Sequence, residues 1–144
     1  RDGGLRCGLG WFGRFRAVAP GVRIVAVELE AGPGLGPALA AGKPVPAPRP
    51  AGTLADGMTP PFVGALPLEI AREAGVEVVT VTERELVDAM ALLMTRAKLY
   101  AEASGAAATA ALVAGKVTAP TGARVVAIVS GGNADPERVL GALA

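Results

Sequence analysis

Ser130, Gly131, Gly132 and Asn133 stand together behind an uncharged, β-branched run, Val125–Val129. One hydroxyl, one carboxamide and two glycines suit a small polar ligand, because glycine lets the backbone approach closely. The run before them reads as a strand buried on both faces, as in a parallel sheet. After them, Asp135 is a natural N-cap and Pro136 a natural first helical residue. Ser130 is therefore expected at the carboxyl end of a strand and just ahead of a helix, where open α/β sheets bind ligands. A second candidate is the glycine-rich loop Gly3-Gly4-Leu5-Arg6-Cys7-Gly8. A loop of that kind opening a helix can cradle an anion with backbone N–H groups.

Other chemistry is excluded by what the chain lacks. It has no histidine, so histidine-based triads, general bases and metal ligands are out. Cys7 is the only cysteine, so no internal disulfide can form and a reducing cytoplasm is the default. With neither a His nor a nearby Lys to lower its pKa, Cys7 reads as a small filler rather than a nucleophile. The 14 basic residues are scattered and the net charge is +1, so no basic stripe exists for nucleic acid. The longest uncharged run, Ala103 to Gly115, is too short to span a bilayer as a helix. Arg1-Asp-Gly-Gly lacks the apolar stretch of a signal peptide. It also begins without Met and inside a glycine-rich motif, as in a partial chain.

These groups need elements to carry them. Leu9 to Ala19 reads as a helix ended by Pro20-Gly21, with Leu9, Phe12, either Phe15 or the stem of Arg16, and Ala19 on its apolar face. Arg23–Glu28 reads as a buried strand and Gly34–Ala41 as a short helix. Residues 42–52 alternate proline and predict an extended surface loop. Leu66–Ala74 reads as a helix closed by Gly75. Glu77–Val81 is a further strand. Thr82 and Glu85 form a capping box opening a helix to about Lys98, with Leu86, Ala89, Met90, Leu93 and Met94 as its core stripe. Ser104 is expected to cap an alanine-rich helix to Ala114. Strands alternating with helices make an α/β fold with a mainly parallel sheet and flanking helices. The 144 residues are expected to form one partial α/β domain.

Four pieces stand in a fixed order: Gly3-Gly4-Leu5-x-x-Gly8, Thr53-Leu-Ala-Asp-Gly57, Lys98-Leu-Tyr-Ala-Glu102-Ala-Ser-Gly-Ala-Ala107 and Val129-Ser-Gly-Gly-Asn133, with Val25-Ala-Val-Glu28 between the first two. This order resembles the carboxyl-terminal half of the large domain of pyridoxal-phosphate enzymes of the tryptophan-synthase-β fold type, or fold type II. Within that group it is most similar to the threonine and serine dehydratases, with serine racemase a close relative. The resemblance implies pyridoxal 5'-phosphate as cofactor and a small amino-acid substrate. The reaction implied removes the α-proton and β-hydroxyl of L-threonine or L-serine and releases a 2-oxo acid and ammonia. It also implies a homo-oligomer and a partner segment, the amino-terminal half. By resemblance, Gly3, Gly4 and Leu5 belong to the phosphate loop and Gly57 borders the pyridine ring. Ser130 bonds the pyridine nitrogen, Gly131 and Asn133 accompany it, and Glu102 lies near the cofactor. A neutral hydroxyl at that nitrogen makes the ring a weaker electron sink than an Asp would.

Several positions depart from the family. Arg1 and Asp2 stand where glycines are expected, and the charge of Asp2 opposes a phosphate. The family's catalytic lysine lies upstream of the glycine loop, and none of Lys43, Lys98 and Lys116 follows its motif. An acid matching Glu28 holds a divalent cation in some relatives with a second acid six residues on. Here that position is Gly34, so no metal is expected. Two further readings stay open from the residues alone: a non-catalytic α/β module for a phosphate-type ligand, and a structural fragment that needs another half.

Overall fold

Two short β-branched segments build the sheet. In the computed structural model, which describes residues 13–15 and 17–143, β1 (Val25–Leu29) pairs in parallel with β2 (Glu77–Val81), Val25 opposite Glu77 and Leu29 opposite Val81. Alternation along the strands sends their side chains to two cores. Val27, Leu29, Val79 and Val81 join one cluster; Ala26 and Val78 join the other. Apolar residues on both faces are what a parallel pair covered by helices requires.

The chain between the strands covers one face with α1 (Leu35–Ala41) and α2 (Ala65–Glu73). Leu35, Ala38, Leu68 and Ala71 are its buried contacts. The other face carries α3 (Glu83–Leu92) and α4 (Ala103–Val113), closed by α5 (Pro136–Leu143) through Val139. The first strand starts two residues later than expected and takes in Leu29; the second matches its expected bounds. An ion pair ties their beginnings, since Arg23 donates to both carboxylate oxygens of Glu77 at 2.7 Å. That guanidinium holds the Glu77 carboxyl below its ordinary range.

The capping box forms as expected: the Glu85 N–H donates to the Thr82 hydroxyl at 3.2 Å, and the Thr82 N–H donates to the Glu85 carboxylate at 2.8 Å. Leu86, Ala89, Met90 and Leu93 are buried, with Met94 packed beside them. The helix widens to a π turn over Leu93–Ala97 and stops at Lys98, whose φ is 59°. Backbone hydrogen bonding from Thr82 lowers the Glu85 pKa most, helped by the Lys116 ammonium 3.3 Å away. A carboxyl lowered in the folded state stabilises it above the unfolded-state pKa, and that contribution fades as pH falls through the folded value. Glu85→Gln is therefore expected to flatten the acid limb of stability against pH, measured by urea midpoints; an unchanged limb contradicts this.

Some expectations are corrected. Val125–Val129 forms no strand: it has no ladder partner among the described residues. Only one face is covered. Val129 packs on the first cluster, whereas Val126 is 82% exposed. A strand buried on both faces needs a neighbour and a second layer that the described residues do not provide. Ser104 does not cap α4; Glu102 is its N-cap, without a side-chain capping bond. The proline-rich loop is mostly exposed but pinned, since Pro46 bridges Phe62 and the Ala47 N–H donates to the Pro61 carbonyl at 2.8 Å. In the first helix, residues 13–15, 17 and 18 are helical, Phe15 packs on the second cluster, and Ala19 is exposed rather than facing the core. Leu9, Phe12 and Arg16 lie outside the described residues.

Candidate functional site at the start of helix α4

The first turn of α4 is a meeting point because its residues are small. Ala103, Gly105, Ala106 and Ala107 are buried there. A Cβ added at Gly105 would overlap the Ser130 carbonyl oxygen, so the chain leaving Val129 lies directly on this helix. Ser130 is exposed, and its hydroxyl makes no hydrogen bond among the described residues. Gly131 follows with φ 76°, and its carbonyl accepts the Glu102 N–H at 3.2 Å. A Cβ on Gly131 would strike the Glu102 carboxylate, so glycine is needed there for both conformation and space. Tyr100 runs alongside, its hydroxyl donating to the Ala134 carbonyl at 3.2 Å. The α5 cap forms as expected, with the Glu137 N–H donating to the Asp135 carboxylate at 2.9 Å and Pro136 first in the helix.

Gly57 reaches the same place from another loop. It sits in a single 3-10 turn, Asp56–Met58, where an added Cβ would come 3.0 Å from the Ser104 hydroxyl oxygen. The structure thus gathers Gly57, Glu102, Ser130, Gly131 and Asn133 around one helix end. Gly3, Gly4 and Leu5 lie outside the described residues. Beneath the cluster, Asp56, Glu102, Asn133, Asp135 and Arg138 help line a cavity of about 70 Å³. Ligand pockets usually run to about 300–1,000 Å³. A group as large as a substituted pyridine would lie over the open face, not inside this cavity.

Elsewhere, side chains are committed to structure. Glu28 caps the start of α1, one oxygen accepting the Gly34 and Leu35 N–H groups and the other the Gly36 N–H at 2.9 Å. Backbone N–H donors thus already engage both oxygens of the carboxylate. Melting curves in Mg²⁺ and in chelator are expected to coincide; a large specific shift would contradict this. Lys98 donates to the Thr95 carbonyl at 2.7 Å and Lys116 pairs with Glu85, both at helix ends. Neither Lys98, Lys116 nor Lys43 lines the cavity. No helix among the described residues is long and apolar enough to cross a membrane.

Parallel strands between helical layers define the α/β class, and in this chain glycine-bordered loops collect at one helix end. The chain belongs to the family described as pyridoxal-phosphate dependent enzyme, which it matches over residues 2–131. It is 36% identical over 138 residues to the catabolic L-threonine dehydratase TdcB of Escherichia coli (strain K12), covering 95% of this chain and 41% of that protein. The T.th. threonine deaminase superposes with a TM-score of 0.74 at 32% identity, over 88% of this chain and 45% of that one. Maize serine racemase superposes with a TM-score of 0.79 at 29% identity, over 94% and 42%. The chain therefore spans less than half the length of the relatives it matches.

Three contributors were not singled out from sequence. Gly105 carried a signal, since a glycine inside an alanine-rich helix costs roughly 0.5–1 kcal/mol and asks for a packing reason. Glu83, the first residue of α3, carried none, because an acid in the first turn of a helix is ordinary. Arg138, in the first turn of α5, runs against that preference but names no partner in the sequence.

Proposed function

We propose that this chain supplies the pyridine side of the cofactor site in a pyridoxal-phosphate-dependent ammonia-lyase acting on L-threonine or L-serine. The observation that carries the reading is the convergence of Ser130, Gly131, Glu102, Asn133 and Gly57 on the first turn of α4. The residues fit one edge of a pyridoxal ring. The Ser130 hydroxyl is exposed and uncommitted among the described residues, and a hydroxyl can donate to or accept from a ring nitrogen. When bound, pyridoxal phosphate supplies the electron-withdrawing ring that acidifies the substrate α-proton.

The chain's own residues orient and exclude. Ser130 fixes the ring edge without adding charge. Gly131 and Gly57 admit the ring by presenting backbone, and Gly3, Gly4 and Leu5 hold the phosphate. Glu102 and Asn133 close the rim. The lysine that moves the α-proton comes from the amino-terminal half, a segment outside these 144 residues. Exposed Val125, Val126 and Ile128 favour burial against that half, within a homo-oligomer.

Ser130→Ala in the assembled enzyme should leave the fold intact and leave the ring nitrogen unpaired. One neutral hydrogen bond is worth about 0.5–1.5 kcal/mol, roughly a 2- to 10-fold loss. Steady-state 2-oxo acid release from threonine and serine, with cofactor occupancy measured, tests this. Unchanged rate and unchanged occupancy would remove Ser130 from the ring. Appearance of D-serine in place of 2-oxo acid would move the reading to racemisation.

A further inference from the structure

The loop that carries Gly57 has few bonds of its own. It follows the exposed proline-rich segment and runs into Pro60-Pro61. Its 3-10 turn is held internally by the Met58 N–H on the Ala55 carbonyl at 2.9 Å and by Thr59 on the Asp56 carbonyl. Ala55 is buried in the first cluster with Leu54 and Met58 packed beside it, and two helices add polar contacts. The Glu83 carboxylate, at the first residue of α3, accepts the Thr53 hydroxyl at 3.0 Å and also takes the Leu54 N–H. The Thr53 hydroxyl in turn accepts the Ala55 N–H at 3.0 Å, so it is satisfied on both sides. From α5, an Arg138 nitrogen donates to the Thr53 carbonyl at 2.9 Å. Bonds to charged groups are about twice as strong as neutral ones and hold geometry accordingly.

We propose that Glu83 and Arg138 are positioning residues that clamp Thr53–Ala55 so that Gly57 is held against Ser104 at the edge of the cofactor site. The clamp links the starts of α3 and α5 to a loop that faces the start of α4. Neither side chain touches the reacting atoms. Their effect reaches the ring through the placement of the Gly57 backbone. This inference rests on the reading of the site given above.

The test titrates the assembled enzyme, this chain with its amino-terminal half, with pyridoxal phosphate, followed by fluorescence, and measures hydrogen exchange at the Leu54 amide. Glu83→Ala should speed that exchange and weaken cofactor affinity about tenfold, the size expected for losing charge-assisted bonds. Glu83→Gln keeps an acceptor and should stay within about threefold of wild type. Arg138→Ala, which removes one exposed bond, should weaken affinity by a smaller factor. Glu85→Ala, in the same turn of α3, should lower the melting midpoint and leave affinity unchanged. Equal affinity for wild type and Glu83→Ala overturns the clamp alone, as does equal weakening by Glu85→Ala. Unchanged affinity in Ser130→Ala as well overturns the reading of the site and the clamp with it.

Discussion

Gly105→Ala is expected to be among the most damaging single-methyl changes in this chain. Alanine is normally the better helix former by about 1 kcal/mol. At Gly105 the added methyl would overlap the Ser130 carbonyl oxygen, and backbone on both sides leaves little room to yield. Overpacking of this kind costs about 1–3 kcal/mol, occasionally more. Either stability falls or the Ser130 segment lifts off α4 and cofactor affinity falls with it. Gly141 provides the contrast. It lies in α5 with nothing within 4 Å of an added Cβ, so Gly141→Ala should stabilise by roughly 0.5–1 kcal/mol. Urea melts of both variants, with pyridoxal phosphate titrations, decide the matter. A neutral or stabilising Gly105→Ala with normal affinity would show that Ser130 does not rest on this helix.

The second large effect concerns turnover. The chain alone should release no measurable 2-oxo acid from threonine or serine. A positioned acid–base group contributes about 10²–10⁴-fold to rate. Lys98 and Lys116 spend their amines on a helix-end carbonyl and on Glu85, and Lys43 lies in the loop after α1. Borohydride treatment in the presence of pyridoxal phosphate should therefore label no single lysine stoichiometrically. Adding a lysine-bearing amino-terminal half should restore 2-oxo acid release. Stoichiometric labelling of Lys43, Lys98 or Lys116, together with turnover by the chain alone, contradicts this account.

Local signals are the legible part of the fold. Glu77–Val81 is β-branched and bounded by Gly75 and Thr82, and it has its expected bounds. The Thr82–Glu85 capping box and the Asp135–Pro136 helix start rest on bonds between near neighbours, so sequence spacing suffices to find them. Val125–Val129 reads as a paired strand and is not one, because pairing depends on a distant neighbour, which no run of valines reports. Ser104 reads as a cap and is not one for a similar reason: it faces Gly57 from a loop far away in sequence. The order of the glycine, Asp56-Gly57, Glu102 and Ser130 motifs carries the family, which the match over residues 2–131 bears out. The packing of Gly105 on Ser130 and the Glu83–Thr53–Arg138 clamp join elements far apart in sequence and are visible only in the fold.

The most direct measurement is a ¹⁵N–¹H spectrum of the chain titrated with pyridoxal phosphate. The expected result is weak, saturable shifts concentrated at Gly57, Glu102, Ser130, Gly131 and Asn133, with the Ser130→Ala chain saturating at higher concentration. Shifts centred instead on Lys43 and Arg72, at the groove between α1 and α2, or no saturable shifts at all, would contradict the assignment of the cofactor site to the start of α4.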